Sequence, residues 1–181
     1  MSAARFSPMQ RLLHWLMAAC ILAMLFIGVG MVSTISPRYL ALVSIHKPLG
    51  IAILVLALLR LGLRLRRGAP PLPADLPAPM KLAAHLSHVA LSGLMIAMPL
   101  VGWAMLSAEG YPIVLWQGLR LPPILPQDIG AYALLRQAHG QLGYAFFAVI
   151  LAHLGAALFH ALVRRDGVFA AMAPVAGRAE E

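Results

Sequence analysis

Four long apolar stretches, separated by polar or proline-rich segments, dominate the sequence. They cover approximately residues 8–32, 40–63, 82–106 and 131–163. An α-helix rises about 1.5 Å per residue, so about 20 apolar residues are enough to cross the roughly 30 Å hydrocarbon core of a bilayer. The pattern therefore predicts an all-α fold, an integral membrane four-helix bundle, with residues 1–181 forming one transmembrane domain.

The segments between the apolar stretches differ in length and composition. The first connection, 33–38, is short. The second, 64–81, reads RLRRGAPPLPADLPAPMK, and its prolines predict an extended chain along the surface rather than a continued helix. The third, 109–128, is longer and apolar enough to lie at the membrane interface.

Composition and charge exclude a water-soluble globule. Hydrophobic residues make up 61% of the chain, and only 14 Lys and Arg and 6 Asp and Glu are present, giving a net charge of +8. In a soluble chain this charge would suggest nucleic acid as a partner. Here Lys and Arg mark the ends of membrane helices, so we expect contact with membrane lipid and no binding of nucleic acid.

The basic residues fall unequally on the two sides of the predicted bundle. Ten lie on the side of the termini and four on the other, which predicts both termini in the cytoplasm. The larger group is Arg5, Arg11, Arg60, Arg64, Arg66, Arg67, Lys81, Arg164, Arg165 and Arg178, and the smaller is Arg38, Lys47, Arg120 and Arg136.

Histidines are the candidate functional residues. All seven lie in or at the end of an apolar stretch: His14, His46, His85, His88, His139, His153 and His160. Ionisable side chains in membrane helices are costly and mark functional sites, and proton relays usually also need carboxylates, which these stretches almost lack. Neutral imidazole is a good ligand for iron or copper, so we predict a metal or haem site.

The depth of each histidine in its helix separates two layers. The outer layer is His46 and His139, the inner layer is His14, His88 and His153, and His85 and His160 lie nearer the cytoplasmic surface. The 14 residues from His139 to His153 correspond to about 21 Å of rise and a turn of roughly 320°, so one helix face can serve two stacked centres.

This spacing suits two haem groups, one in each leaflet, each also bound by a histidine of another helix. The chain has no Cys-x-x-Cys-His motif, so the haem would be haem b, held without covalent attachment. Depth alone leaves open which two of His14, His88 and His153 bind the inner iron.

The four segments LLHWLMA, SIHKPLGI, LAAHLSHVALSGLMIAMPLVGW and QAHGQLGYAFFAVILAHLGAALFH resemble the bacterial cytochrome b561 family in order and spacing over essentially the whole chain. The resemblance implies a four-helix bundle in the inner membrane with two haem b groups. It also implies the following roles: inner axial ligands His14 and His153, outer axial ligands His46 and His139, and quinone-site residues His88 and His160.

The size and the third connection are most similar to the single-chain, two-haem members of this family that oxidise superoxide and reduce ubiquinone. On that hypothesis Lys47 attracts superoxide and His88 donates a proton or a hydrogen bond to ubiquinone. Leu12 departs from the pattern, since a polar side chain is expected beside the quinone. One alternative is a membrane anchor that relays electrons between quinone and a partner dehydrogenase or hydrogenase, and another is a haem-free structural or transport bundle.

Overall fold

Four helices form the bundle, and each is long and apolar enough to cross a membrane. The computed structural model describes residues 5–111, 113–115 and 118–173. The elements in chain order are α1 (Pro8–Val32), α2 (Arg38–Arg67), α3 (Ala78–Glu109), α4 (Ile129–Phe159), a π-helical turn (His160–Arg164) and α5 (Val168–Met172). The predicted all-α membrane bundle is confirmed.

Two helices extend into the second connection, so the prediction of an extended chain over all of 64–81 is wrong at both ends. α2 continues to Arg67 because the basic side chains of its last turn interact favourably with the negative end of the helix dipole. It ends at Gly68, whose φ of 69° lies in the left-handed region that glycine adopts readily. α3 begins at Ala78, directly after Pro77.

Polar side chains fix the starts of two helices. Ser7 and Gln10 form a capping box at α1: the Ser7 hydroxyl accepts from the Gln10 backbone N–H at 3.4 Å, and the Gln10 side chain accepts from the Ser7 N–H at 3.0 Å. The Gln10 amide also donates to the Gly68 carbonyl at 2.9 Å, which ties α1 to the end of α2. At α4, Asp128 accepts from the Ala131 N–H at 2.7 Å.

The bundle is closely packed between sequence neighbours. α1 packs on α2, α2 on α3, and α3 on α4, whereas α4 lies farther from α1 and α2 in the described part of the chain. All four helices contribute to one apolar cluster at mid-depth, formed by Met17, Ile21, Ile53, Ala57, Met95 and Phe146.

The start of α1 holds α5 at the end of the bundle that carries both termini, which we call the terminal end. Four consecutive carbonyls, Ala170 to Ala173, accept hydrogen bonds of 2.9–3.2 Å from the Arg5 guanidinium, the Phe6 N–H, the Trp15 indole and the Arg11 guanidinium, respectively. The last carbonyls of a helix have few partners within it, and among the described residues Ala170 alone of these four also accepts from the backbone, from the Ala173 N–H, so donors from the N-terminal segment and α1 cap α5.

Candidate cofactor-binding site

Two pairs of imidazoles face each other at different depths of the bundle. Near the opposite end from the termini, His46 of α2 and His139 of α4 have ring centroids 6.1 Å apart and ring planes at 67°. Toward the terminal end, His14 of α1 and His153 of α4 have centroids 6.4 Å apart and planes at 68°. The structure thus brings together four of the predicted site residues in two similar pairs.

Both separations suit an iron ion bound between two imidazoles. A metal–nitrogen bond to histidine is about 2 Å long, so two rings on opposite sides of one ion have centroids about 6.3 Å apart. Each pair joins α4 to a helix on which it does not pack closely, α1 or α2. Such a gap between helices is where a flat porphyrin is accommodated in a bundle core.

The paired rings carry buried polar atoms that the protein leaves unsatisfied. The Nδ1 atoms of His14, His46 and His139 are buried and make no regular hydrogen bond with the described residues. The Met98 carbonyl lies near the His139 ring, in a geometry too poor for a regular bond. Buried polar groups without partners are uncommon and mark sites of ligand binding or catalysis. The histidines therefore fit haem iron, which the chemistry of the donor set already favours.

His88 is the third ring of the layer near the terminal end. Its centroid lies 5.5 Å from that of His153, with ring planes at 65°. This separation is shorter than the roughly 6.3 Å expected for two ligands on opposite sides of one ion. Geometry therefore favours His14 over His88 as the partner of His153, a choice that depth alone left open. His85, one turn before His88, is exposed.

No other metal site competes with the two pairs in the residues that the structure describes. There, no group of three or more His, Cys, Asp and Glu side chains is arranged to hold a metal ion. A structural zinc site needs four ligands and a catalytic one needs three, all at one depth. The two imidazole pairs, each with two possible ligands at its own depth, do not have this arrangement.

His160 lies in a polar network at the terminal end. It is 9% exposed, and its Nδ1 lies 2.7 Å from a carboxylate oxygen of Asp166. Arg164 donates to Asp166 at 2.9 Å and to Asp75 at 2.7 Å, which connects the π-helical turn to the second connection. Burial disfavours the charged carboxylate, but these hydrogen bonds outweigh burial and hold the pKa of Asp166 below its usual value. The ionised carboxylate of Asp166 accepts a hydrogen bond, so Nδ1 of His160 is the donor and carries the proton. The other ring nitrogen, Nε2, is not used in this bond.

Gly102 allows α3 to approach the ring of His139. A Cβ atom at position 102 would lie 3.3 Å from His139 Cε1 and 3.6 Å from its Nδ1. A side chain there would force the ring to shift by a few tenths of an ångström. The glycine therefore sets how closely α3 supports this histidine.

An apolar layer separates the two imidazole pairs. Phe146 lies seven residues from both His139 and His153 along α4, and it is 7% exposed. Ile53 lies seven residues after His46 on α2 and is 4% exposed. With the fully buried Met17, these side chains keep water and charge out of the space between the pairs.

Lys47 lies next to His46 and is held by the third connection. Its ammonium nitrogen is 5.6 Å from the centroid of the Tyr111 ring, within the range of a cation–π interaction. The contact holds the side chain that follows His46 in α2 against Tyr111 of the third connection. Ile124 and Pro122 of the third connection are bound to α3, since the Ser107 hydroxyl accepts from the Ile124 N–H at 3.1 Å and the Trp103 indole donates to the Pro122 carbonyl at 2.9 Å.

Comparison with known proteins gives consistent matches along the chain. The sequence profile of prokaryotic cytochrome b561 matches residues 5–174. Cytochrome b561 homolog 1 of Escherichia coli (strain K12) is 29% identical over 94% of this chain and 97% of the relative. Cytochrome b561 homolog 2 of the same organism is 32% identical over 90% of this chain and 87% of the relative. The probable superoxide oxidase CybB of Yersinia pestis is 34% identical over 72% of this chain and 73% of the relative.

The family match extends over all four membrane-crossing helices and includes both imidazole pairs. Such a chain is a multi-pass protein of the bacterial inner membrane that binds haem b and transfers electrons. The chain belongs to the prokaryotic cytochrome b561 family.

Proposed function

We propose that this protein oxidises superoxide on the outer side of the inner membrane and reduces ubiquinone on the cytoplasmic side. The observation that carries the proposal is that two imidazole pairs lie at two depths of the bundle, with centroid separations of 6.1 and 6.4 Å. Each pair includes one histidine of α4. The similarity to the probable superoxide oxidase of Yersinia pestis supports the choice of substrate.

In this proposal the two pairs are the axial ligands of two haem b groups. His46 and His139 hold the outer one, and His14 and His153 hold the inner one. The terminal end of the bundle, with most of the basic residues, faces the cytoplasm. When bound, the two haem groups supply one-electron transfer between the two sides of the membrane.

The overall reaction needs no reactant besides superoxide, ubiquinone and protons. Two superoxide ions each lose one electron and leave as oxygen, and ubiquinone takes up these two electrons and two protons to become ubiquinol. Superoxide is a small anion, so a cation at the outer site raises its encounter rate. Lys47 is the candidate, because it follows His46 directly in α2 and its ammonium group lies over the Tyr111 ring.

Ubiquinone reduction needs protons at the inner site, and two histidines there are placed to provide or position them. His88 lies beside His153, and a neutral imidazole can donate a hydrogen bond from one ring nitrogen to a quinone oxygen. His160 is oriented by Asp166 through Nδ1, so its Nε2 is the nitrogen that can hydrogen-bond a quinone oxygen. Leu12 is 62% exposed on the surface of α1 and offers no polar group to the quinone.

A reconstituted assay tests the proposed reaction. Purified haem-loaded protein in liposomes that contain ubiquinone is supplied with superoxide from a steady enzymatic source. Ubiquinol should form at about half the rate of superoxide consumption, and added superoxide dismutase should stop it. Haem groups that quinol reduces but superoxide does not would contradict the proposal and favour an electron relay to a partner enzyme.

We expect Lys47→Gln to slow superoxide oxidation about two- to five-fold at low ionic strength. The difference from wild type should shrink as salt is added, because salt screens electrostatic attraction beyond about 10 Å at 0.1 M ionic strength. Stopped-flow reduction of the haem by superoxide measures the rate. Arg38→Gln, an exposed cation at the same end of the bundle, is the control and should change it little. Equal rates for Lys47→Gln and wild type at every salt concentration would exclude Lys47 from steering.

A further inference from the structure

Arg60 lies in the membrane-crossing helix α2 at the depth of the inner imidazole pair. It follows His46 by 14 residues, the same spacing that separates His139 from His153 on α4. The spacing corresponds to about 21 Å of rise and a turn of roughly 320°, so Arg60 lies on nearly the same face of α2 as His46. The helix face that carries an outer histidine therefore carries a half-buried arginine at the inner layer.

The charge of Arg60 acts on the whole inner layer. It is close enough to interact electrostatically with His14, His88 and His153. Arg64 follows one helical turn later, is also half-buried, and interacts electrostatically with Arg60 and His88. Two guanidinium groups thus lie on one side of the layer, spaced i and i+4.

Neither guanidinium has an anionic partner among the residues that the structure describes. The acidic residues that the structure describes at this end, Asp75 and Asp166, both bind Arg164 instead. Like charges at i and i+4 repel, and a cation at membrane depth is costly unless it is paired. Two such arginines one helical turn apart, at the level of the His14–His153 pair, therefore favour an anion with two separated negative groups.

We propose that Arg60 and Arg64 bind the two propionate carboxylates of the inner haem. Arginine recognises carboxylates through paired N–H donors, and haem b carries two such groups on one edge. The proposal rests on the assignment of His14 and His153 to a haem, and not on superoxide as the substrate. A phospholipid phosphate has similar chemistry, and the experiment separates the two.

The first measurement is the rate at which the purified holoprotein loses haem to an excess of a haem-scavenging protein. We expect Arg60→Gln to accelerate the loss of one of its haem groups about tenfold or more, because a hydrogen bond to a charged group is broken. Arg66→Gln is the matched control, an exposed arginine in the last turn of α2, the turn that also holds Arg64, and should release haem at the wild-type rate. Arg60→Lys keeps the charge but not the paired donors, and an intermediate rate is expected.

The second measurement identifies the anion. Haem labelled with ¹³C at the propionate carboxyls gives label-sensitive carboxylate bands in the infrared difference spectrum between reduced and oxidised protein. We expect Arg60→Gln and Arg64→Gln to shift these bands, and Arg60→Gln to lower the midpoint potential of one haem, since a nearby cation favours the reduced form. Arg66→Gln should change neither.

Two outcomes would overturn the inference. In the first, haem release and the labelled bands are the same in Arg60→Gln and wild type. In the second, the effects of Arg60→Gln appear only when anionic phospholipid is present and leave the labelled bands unmoved, which would identify a lipid phosphate as the anion. Wild-type protein with a single haem would instead contradict the proposed function, so the two failures are distinguishable.

Discussion

Replacing His14 by alanine should remove about half of the haem from the purified protein, because an axial ligand is lost from one of two haem groups. The loss should affect the inner haem alone, since His46 and His139 are on other helices and keep their separation of 6.1 Å. The measurement is haem content per chain, together with the reduced-minus-oxidised visible spectrum. Superoxide should still reduce the remaining haem, while ubiquinone reduction should stop.

His88→Ala is the matched comparison for His14→Ala, because both side chains belong to the inner layer. The ring centroid of His88 lies 5.5 Å from that of His153, which is too short for two axial ligands of one iron. Both haem groups should therefore remain in this variant. Ubiquinone reduction should nevertheless fall, because a proton donor is removed. Full haem content in His14→Ala, with about half lost in His88→Ala, would reverse the assignment.

Added imidazole separates loss of a ligand from loss of the fold. In a His14→Gly variant, free imidazole can enter the space left by the side chain and bind the iron. We expect millimolar imidazole to restore part of the missing haem absorbance. A misfolded variant would gain nothing, and in that case the lower haem content would say nothing about ligation.

The membrane helices were predictable because hydropathy sums over about 20 residues, so an error at one position matters little. The layers of histidines were predictable for a related reason: rise and rotation per residue are fixed, so His139 and His153 had to share a face. The choice between His14 and His88 depends on how α1 and α3 pack against α4. This packing is a feature of the tertiary structure, and the depth of a residue along its own helix gives no information about it.

Features that depend on contacts between distant segments escaped prediction. α5 is only five residues long, and it is stabilised by donors from the start of α1 rather than by its own sequence. One local feature also escaped: Asp166 meets His160 and Arg164 because of the π-helical turn at His160–Arg164, which the apolar pattern does not predict. Gly102 is one of 15 glycines, and its approach to His139 follows from the packing of α3 on α4. The sequence did contain a signal for Arg60, since its spacing of 14 residues from His46 equals that between His139 and His153. Its charge, however, indicated only which side of the membrane is cytoplasmic.

Replacing His139 by alanine should abolish superoxide-driven ubiquinone reduction while leaving the inner half of the pathway working. The variant loses the partner of His46 across the outer site, so about one haem per chain should remain, bound by His14 and His153. Ubiquinol should still reduce this haem, because the inner site is unchanged. Superoxide should not reduce it at the wild-type rate, because the apolar layer around Phe146 separates it from the outer surface.

The pattern expected of His139→Ala is the reverse of that expected of His14→Ala, and the contrast tests the direction of electron flow. One variant should respond to ubiquinol alone and the other to superoxide alone, in the same stopped-flow experiment. His85→Ala is the control, since this histidine is exposed and belongs to neither pair, and the change should leave both reactions intact. If superoxide reduced the haem of His139→Ala as fast as that of wild type, superoxide would enter by the inner site, and the proposed outer site would be wrong.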